Sequence, residues 1–244
     1  MAGSAWWGHE SLELRDAPAW ARANRQRTLA DRAYDAIHEG IVTGILAPGE
    51  RLVLEDLAAK LDQSLTPIRE ALQRLEAVGL IEHVPHRGAR VTGLSMTDLK
   101  ELWEARLALE PLAITRAAQQ FSTDMARRSR QSLDRLRAAE LRDDFAAAWH
   151  AHTDFHFSLY EPCGSSWLLR LIRPLWESSQ RYRMRWTPLQ ADLPTRDEEH
   201  ESILAACIRC DGVAAARELH NHLARTANRI AEQMDGSTLF QLIP

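Results

Sequence analysis

The feature that most restricts the fold is a helical repeat of apolar residues, which fills most of the chain after residue 94. Between residues 99 and 120 apolar residues recur at helical intervals, with pairs three or seven residues apart: Leu102, Leu107, Leu109, Leu112 and Ile114. Similar spacing predicts five further helices, at 122–141, 145–160, 166–184, 195–210 and 213–234. Such spacing places apolar side chains on one face of a helix. Six helices of this length predict an all-α bundle of roughly 140 residues.

The segment before the bundle predicts a different unit, in which three helices precede a β-hairpin. From 29 to 45 the apolar residues repeat every four positions, and a second helix is predicted near 54–61. Ser64 suits the N-cap of a third helix, which Gly79 ends. Two short apolar runs around residues 85–88 then predict two strands joined by a tight turn. We therefore expect a mainly α fold, with an N-terminal winged helix-turn-helix and a C-terminal all-α helical bundle.

These changes of pattern predict the domain organisation. We expect an N-terminal arm at 1–24, where no periodicity is visible, and a winged-helix domain at 25–95. The helical domain is expected at 96–236, followed by a C-terminal tail at 237–244.

Composition excludes several classes of protein. The net charge of −4 excludes a general polycation, so any nucleic-acid contact must come from a local surface. The chain contains no apolar run long enough to span a membrane and does not begin with a signal-peptide pattern. Three cysteines are too few for a disulfide scaffold and indicate a reducing compartment. We therefore expect a cytoplasmic protein without membrane segments.

The third helix and the hairpin present polar and basic side chains where a winged helix meets duplex DNA. A helix that enters the major groove needs short polar and basic side chains near its N-terminus, which also attracts phosphate. In the hairpin, a glycine between two arginines lets the backbone approach DNA closely. The candidate DNA-binding residues are Gln63, Ser64, Thr66, Arg69, Arg87, Gly88 and Arg90.

The charge of this unit leaves an alternative open. Residues 25–95 carry nine basic and ten acidic side chains, so DNA affinity would depend on few phosphate contacts and on dimerisation. Winged helices also bind proteins, so a scaffold that binds no DNA is the competing interpretation.

Four histidines of the helical domain have a spacing that suits a metal site. His152 and His156 are four residues apart and share one helix face. His200 and His222 lie at similar distances in sequence on either side of the turn at 211–212. If the two helices are antiparallel, these side chains lie next to each other. Four imidazoles suit a divalent transition metal such as zinc, nickel or copper. The competing interpretation is a set of histidines with ordinary hydrogen-bond partners.

The N-terminal unit resembles the DNA-binding domain of GntR-family bacterial transcription regulators, in the stretch "APGERLVLEDLAAKLDQSLTPIREALQRLEAVGLIEHVPHRGARV". The helical domain resembles the FCD effector domain of the FadR branch, in "LWEARLALEPLAITRAA" and "EEHESILAACIRCDGVAAARELHNHL". Together the two resemblances cover roughly residues 29–233. They imply a homodimeric regulator that binds double-stranded operator DNA and a small ligand. Two departures are Leu65 and Glu55, which stand where the family usually, or sometimes, has arginine; they imply an altered operator or weaker binding.

The resemblance also implies a metal set. FCD domains similar to this one use one aspartate and three histidines, and the three histidines match His156, His200 and His222. His152 stands at the position of the aspartate and is retained as a candidate ligand. Loss of the carboxylate favours nitrogen-preferring ions, so zinc or nickel is the expected cofactor.

Two residues are candidates for effector binding. Arg106 matches the arginine of the family's "R..LEP" helix and could pair with a carboxylate, although an intrahelical ion pair with Glu110 is equally compatible with the spacing. Ser165 stands where the family often has asparagine. A small organic acid that coordinates the metal is the simplest effector.

The predicted function is a ligand-responsive transcription regulator, with repression favoured, that is released from a palindromic operator by its acid effector. The alternative is a metalloenzyme that uses the histidine site and keeps the winged helix as a structural part. Metalloenzyme and hydrolase motifs such as HExxH and GxSxG are absent from the sequence, so we expect no enzymatic activity.

Overall fold

The computed structural model describes residues 28–84, 88–186 and 193–244. The predicted arm at 1–24 lies outside these ranges. The N-terminal unit contains α1 (Leu29–Val42), β1 (Arg51–Leu52), α2 (Leu54–Leu61), α3 (Leu65–Ala77), β2 (Ile81–Val84) and β3 (Gly88–Val91). The helical unit contains α4 (Met96–Ala118), α5 (Thr123–Glu140), α6 (Phe145–Tyr160), α7 (Ser166–Trp186), α8 (Leu193–Ile208) and α9 (Gly212–Met234), with a 3-10 turn at Glu161–Cys163. The mainly helical fold is confirmed.

The predicted hairpin is part of a three-stranded antiparallel sheet in which β3 lies between β1 and β2. Ile81 pairs with Val91, and Leu52 of the unpredicted strand β1 pairs with Ala89. β1 was not predicted, because two residues have no periodicity of their own. The predicted extent of α1, to residue 45, was wrong. The helix ends at Val42, and Ile45 is 77% exposed because the chain turns away from the core.

The start of the first helix follows from its cap. The Thr28 side chain accepts a hydrogen bond from the Asp31 backbone while the Asp31 side chain accepts one from the Thr28 backbone, which is a capping box. Ser64 occupies the predicted N-cap position of α3 with extended backbone angles, but its side chain makes no capping hydrogen bond. Pro67 lies in the first turn of α3, where a missing N–H costs little.

In the helical domain α4 packs along α9 and α7, while α5 packs along α6 and α8 along α9. Trp103 of α4 is fully buried, and its indole N–H donates to the Leu223 carbonyl of α9 at 3.0 Å. Replacing such a tryptophan by alanine costs roughly 3–5 kcal/mol. The predicted core position Leu112 is instead 42% exposed, because the inner face of α4 includes the polar pair Arg106 and Glu110.

The residues that the structure describes form two hydrophobic cores. One core is formed by buried residues from Ala33 to Val91 and the other by buried residues from Leu99 to Ala231. After α9 the chain turns back along that helix, and Oδ1 of Asn228 accepts hydrogen bonds from the backbone N–H groups of Leu239 and Phe240. Among the described residues, every helix is too short or too polar to cross a lipid bilayer.

Candidate functional site

The N-terminal end of α3 forms an exposed polar surface. The side chains of Ser64, Thr66 and Arg69 are exposed, and Gln63 is half-buried beside them. Leu65, the first residue of α3, is 40% exposed on the same surface. The short polar groups and one arginine therefore share one exposed surface at the start of α3.

The three-stranded sheet lies next to this surface. A cavity of about 330 Å³ separates α3 from the sheet, and Arg69, Glu55 and Gly88 contribute to its lining. Gly88 has φ +79°, a conformation that favours glycine. Arg90 pairs with Glu82 at 2.7 Å, but both side chains are about half exposed, so the pair is worth little and can open to meet a phosphate. Arg87 lies outside the described residues.

Four histidines meet in the core of the helical domain. Two come from α6, one from α8 and one from α9, and their exposures are 3% for His152, 0% for His156, 1% for His200 and 2% for His222. The four candidate ligand nitrogens all lie within 4.8 Å of one another. Nε2 of His156 is 3.1 Å from Nε2 of His152 and 3.4 Å from Nε2 of His200. The predicted convergence of the three helices is therefore present.

A chain of buried hydrogen bonds orients His156. Arg106 forms a buried ion pair with Glu110 at 2.6 Å, and the Tyr160 hydroxyl donates to the same carboxylate at 2.7 Å. Because its proton points to Glu110, the hydroxyl oxygen accepts from Nδ1 of His156, 3.1 Å away. Nδ1 therefore carries the imidazole proton, and Nε2 presents a lone pair to the centre of the cluster.

His222 is oriented in the same way by a different carboxylate. Its Nδ1 donates to Glu199 at 2.6 Å, so Nε2 is left to face the cluster. Burial alone would raise the pKa of the Glu199 carboxyl, but the hydrogen bond from His222 and the nearby charge of Arg229 lower it. The carboxylate thus remains charged and continues to hold the ring.

The electrostatics of the cluster favour neutral imidazoles. Burial holds the pKa of His152, His156 and His200 well below the usual value, and neighbouring positive charges lower it further. The pKa of His222 is also lowered by burial, although Glu199 opposes the shift.

Neutral imidazole is the form that binds metal. In a tetrahedral zinc site with Zn–N bonds of about 2.0–2.1 Å, ligand nitrogens lie roughly 3.3 Å apart. The separations of His156 Nε2 from its neighbours in His152 and His200, 3.1 and 3.4 Å, are close to this value, and all four ligand nitrogens lie within 4.8 Å of one another, so this cluster could hold a metal ion.

α7 lines one side of the histidine cluster with Trp176, Ser179 and Arg183, which were not predicted as part of the site. Trp176 stacks on the His152 ring with centroids 5.3 Å apart, and Ser179 accepts a hydrogen bond of 3.0 Å from Arg106. Arg183 lies against His152, with Nη1 3.2 Å from Nδ1. Burial, and then the positive charges of nearby arginines, lower the pKa of Arg183 well below its usual value.

The two predicted effector residues occupy different places. Arg106 uses its guanidinium for Glu110 and Ser179, so the intrahelical pair considered as the alternative is present. Ser165 lies before α7, and its hydroxyl accepts from the backbone N–H of Leu168 at 3.3 Å, as a helix cap. Their effector roles stay predictions.

The opposite side of α7 holds the N-terminal unit. Glu177 accepts a hydrogen bond of 2.9 Å from the Tyr34 hydroxyl of α1, and Ser178 donates one of 2.5 Å to the Val78 carbonyl. Arg181 donates to the carbonyls of Thr92 and Gly93, at 3.2 and 3.3 Å. One helix therefore contacts both the histidine cluster and the winged helix.

Comparison with known proteins identifies both units. Residues 29–91 match the family described as bacterial regulatory proteins, gntR family, and residues 101–225 match the FCD domain. This chain belongs to the GntR family. The matches confirm the resemblance that the sequence motifs indicated.

Relatives with established descriptions support this assignment. The chain is 28% identical to the HTH-type transcriptional repressor GlaR of Escherichia coli, over 84% of this chain and 96% of the relative. It is 32% identical to the probable D-xylose utilization operon transcriptional repressor of Paenarthrobacter nicotinovorans, over 81% of this chain and 86% of the relative. The solved structure of E. coli McbR/YncC has the same fold, with a TM-score of 0.75, 23% identity and coverage of 85% of this chain and 99% of that chain. This GntR-family protein is therefore a transcription regulator and not an enzyme.

Proposed function

We propose that this GntR-family regulator acts in the cytoplasm as a homodimeric repressor on a palindromic operator. A small organic acid, bound beside a metal ion in the FCD domain, releases it. The repressors among its relatives support the direction of regulation. The proposed DNA contacts are Gln63, Ser64, Thr66, Arg69, Arg87, Gly88 and Arg90.

The observation that carries this proposal is the double contact of α7. Trp176 and Arg183 touch the histidine cluster, whereas Ser178 is bonded to the end of α3. A bound acid that displaces α7 would therefore tilt α3 relative to the helical domain. In a dimer this changes the distance between the two recognition helices, so that both half-sites no longer fit. A difference of about 1–3 kcal/mol between the two states gives a response of about 5- to 150-fold.

The metal is proposed to be zinc or nickel, because the ligand atoms are imidazole nitrogens. His156, His200 and His222 would hold it, with His152 beside them. When bound, the ion supplies a Lewis-acid centre that attracts a carboxylate. Tyr160, which is bonded to Glu110, would keep the His156 ring in place. Glu199 would do the same for His222.

The experiment that tests the regulatory proposal is a gel shift with DNA from upstream of the chain's own gene, repeated over a series of salt concentrations. Log affinity should fall linearly with log salt, because phosphate contacts release counterions. An unrelated fragment of equal length should bind more weakly. Absence of any selective shift, with and without a panel of small organic acids, would favour the scaffold interpretation instead.

A metal analysis tests the cofactor independently. The full-length protein is purified without a histidine tag, incubated with zinc or nickel and freed of excess metal. Retention of about one equivalent per chain is expected. A content far below one equivalent after incubation would remove the metal from the proposed mechanism.

A further inference from the structure

Leu65, the first residue of α3, combines a large apolar side chain with an exposed position. The large apolar residues that α3 uses for packing are Ile68, Leu72 and Leu75, and their exposures are 0%, 4% and 0%. Leu65 is 40% exposed. In α3, every residue of which the structure describes, it is the large aliphatic side chain that stays on the surface of the protein.

The neighbours of Leu65 belong to the proposed DNA surface. Ser64 and Thr66, on either side of it in sequence, are exposed and polar. Arg69 is four residues further along α3, so its side chain and that of Leu65 are neighbours on the helix surface. Leu65 therefore lies at the N-terminal end of this surface, and that end of a recognition helix is the part that contacts base edges.

An apolar side chain at this place distinguishes bases by their apolar groups. In the major groove guanine presents two acceptors, adenine presents an acceptor and a donor, and thymine presents an acceptor and a C5-methyl group. Leucine can neither donate nor accept, so covering the polar edge of a purine would leave polar groups without hydrogen bonds. The thymine methyl group, in contrast, gains free energy from apolar contact.

We propose that Leu65 is a specificity-determining residue, which selects one thymine in each half-site of the operator by contact with its C5-methyl group. This inference rests on the proposed function, because it requires the N-terminal end of α3 to meet the major groove. It adds the identity of one base pair of the operator, an A·T pair whose thymine faces Leu65.

The first experiment selects binding sites from a pool of random DNA duplexes with the full-length protein and compares wild type with Leu65→Arg. Arginine in the same place would pair with O6 and N7 of guanine. One thymine in each half-site of the wild-type sequence should therefore become guanine in the sequence that the variant selects. Identical sequences for the two proteins, or a change at a position that is not thymine for wild type, would overturn the proposal.

Leu141→Arg is the matched control for this selection. Leu141 is 87% exposed at the C-cap of α5 in the helical domain, and the substitution adds the same charge. The added charge alone should leave the selected sequence as it is for wild type, because charge attracts phosphates without regard to sequence.

The second experiment removes the methyl group alone. In the duplex that wild type selects, uracil replaces the thymine, and the base-pair hydrogen bonds stay the same. Wild-type affinity should fall about three- to fivefold, as expected when contact with one methyl group is lost. Leu65→Ala should bind the thymine duplex more weakly and show no further loss with uracil, because both changes remove the same contact. An unchanged wild-type affinity, or an equal uracil effect in Leu65→Ala, would overturn the proposal.

Two controls accompany the uracil experiment. Uracil at a thymine outside the selected sequence should leave the affinity of wild type unchanged. Urea unfolding gives the folded fraction of Leu65→Ala, so that affinities are compared for equal concentrations of folded protein.

The outcomes separate this inference from the proposed function. If wild type selects no sequence at all, the proposed function fails and the inference fails with it. If wild type selects an operator whose affinity does not depend on a thymine methyl group, the inference alone fails.

Discussion

Ser178 of α7 donates a hydrogen bond of 2.5 Å to the backbone carbonyl of Val78, the residue at which α3 ends. The next residue, Gly79, has φ +74°, and the chain turns there into β2. A hydrogen bond to its backbone therefore holds the C-terminal end of α3 to the helical domain.

Ser178→Ala should lower the free energy of unfolding by about 1 kcal/mol, because the partly buried Val78 carbonyl loses its donor. The measurement is urea unfolding of the full-length protein. Ser202→Ala is the matched control, since Ser202 is exposed and bonds only to the Glu198 carbonyl of its own helix. Equal stability of the Ser178 variant and wild type would mean that α3 is held by other contacts.

The same variant should also loosen the attachment of α3 to α7. Amide hydrogen exchange near the end of α3 should become faster in Ser178→Ala, because local opening no longer breaks this bond. Unchanged exchange there would count against α7 as the connecting helix.

Much of the histidine cluster was predictable from spacing. The bounds of α6 agree with the expected 145–160, and His152 and His156 share a face because they are one turn apart. His200 and His222 meet because the turn at 211–212 makes α8 and α9 antiparallel. In each case a local rule, helix period or turn position, was sufficient.

The wall of the site was not predictable in this way. Trp176 and Arg183 reach the cluster only because of how α7 crosses α6, and no motif in their own segment marks them. β1 was missed for a related reason, since its pairing with β3 is a tertiary contact. Leu112 fits the apolar period of α4, but burial of Arg106 and Glu110 turns a different face inward.

Arg69→Ala should weaken operator binding by about 1–3 kcal/mol, because one side chain at the DNA surface is lost. Its stability should stay close to wild type, since Arg69 is exposed. Gel shifts over a salt series measure both the loss of DNA affinity and the change in the slope of log affinity against log salt concentration. Arg128→Ala, an exposed arginine of α5 that pairs only loosely with Asp124 at 3.6 Å, serves as the control. An Arg69 variant that binds like wild type would place the DNA surface elsewhere.

Low pH should destabilise the first turn of α1. Hydrogen bonds from Thr28 and Arg74 lower the pKa of Asp31 from 3.8 to about 2. Because the pKa of Asp31 is lower in the folded protein than in the unfolded chain, the ionised carboxylate stabilises the fold at pH values above the pKa of the unfolded chain. This stabilisation is lost as the pH falls from about 4 to about 2. Asp31→Asn should therefore be less stable than wild type at neutral pH, and the difference should shrink in that range. Urea unfolding at a series of pH values measures this difference in the free energy of unfolding. A difference that does not change with pH would show that the charge of Asp31 is not responsible.

Zinc should stabilise the folded protein by mass action. At a free concentration 100 times the dissociation constant the gain is about 2.7 kcal/mol. Thermal unfolding with increasing zinc or nickel checks this. His156→Gln should abolish the shift, because the central Nε2 is removed. His220→Gln should not, since His220 is half-buried outside the cluster and contacts the Gln241 carbonyl. A shift of equal size in both variants would indicate that zinc binds elsewhere.

Glu110→Gln should be strongly destabilising. Arg106 and Glu110 are 1% and 0% exposed, and removing one charge from a buried pair costs roughly 3–5 kcal/mol because the other charge stays buried. Glu104→Gln gives the matched comparison on the same helix, since its pair with Lys100 is exposed and should contribute less than about 1 kcal/mol.

The double variant Arg106→Met with Glu110→Leu separates stability from metal binding. It should regain most of the lost stability, because neither partner is left as an unpaired buried charge. Zinc affinity should nevertheless remain about 10- to 100-fold below wild type, since the Tyr160 hydroxyl loses the carboxylate that directs its proton. Urea unfolding and zinc titration of the same preparations measure the two effects. A double variant that recovers stability and zinc affinity together would show that the Arg106–Glu110 pair supports the fold alone and does not orient His156.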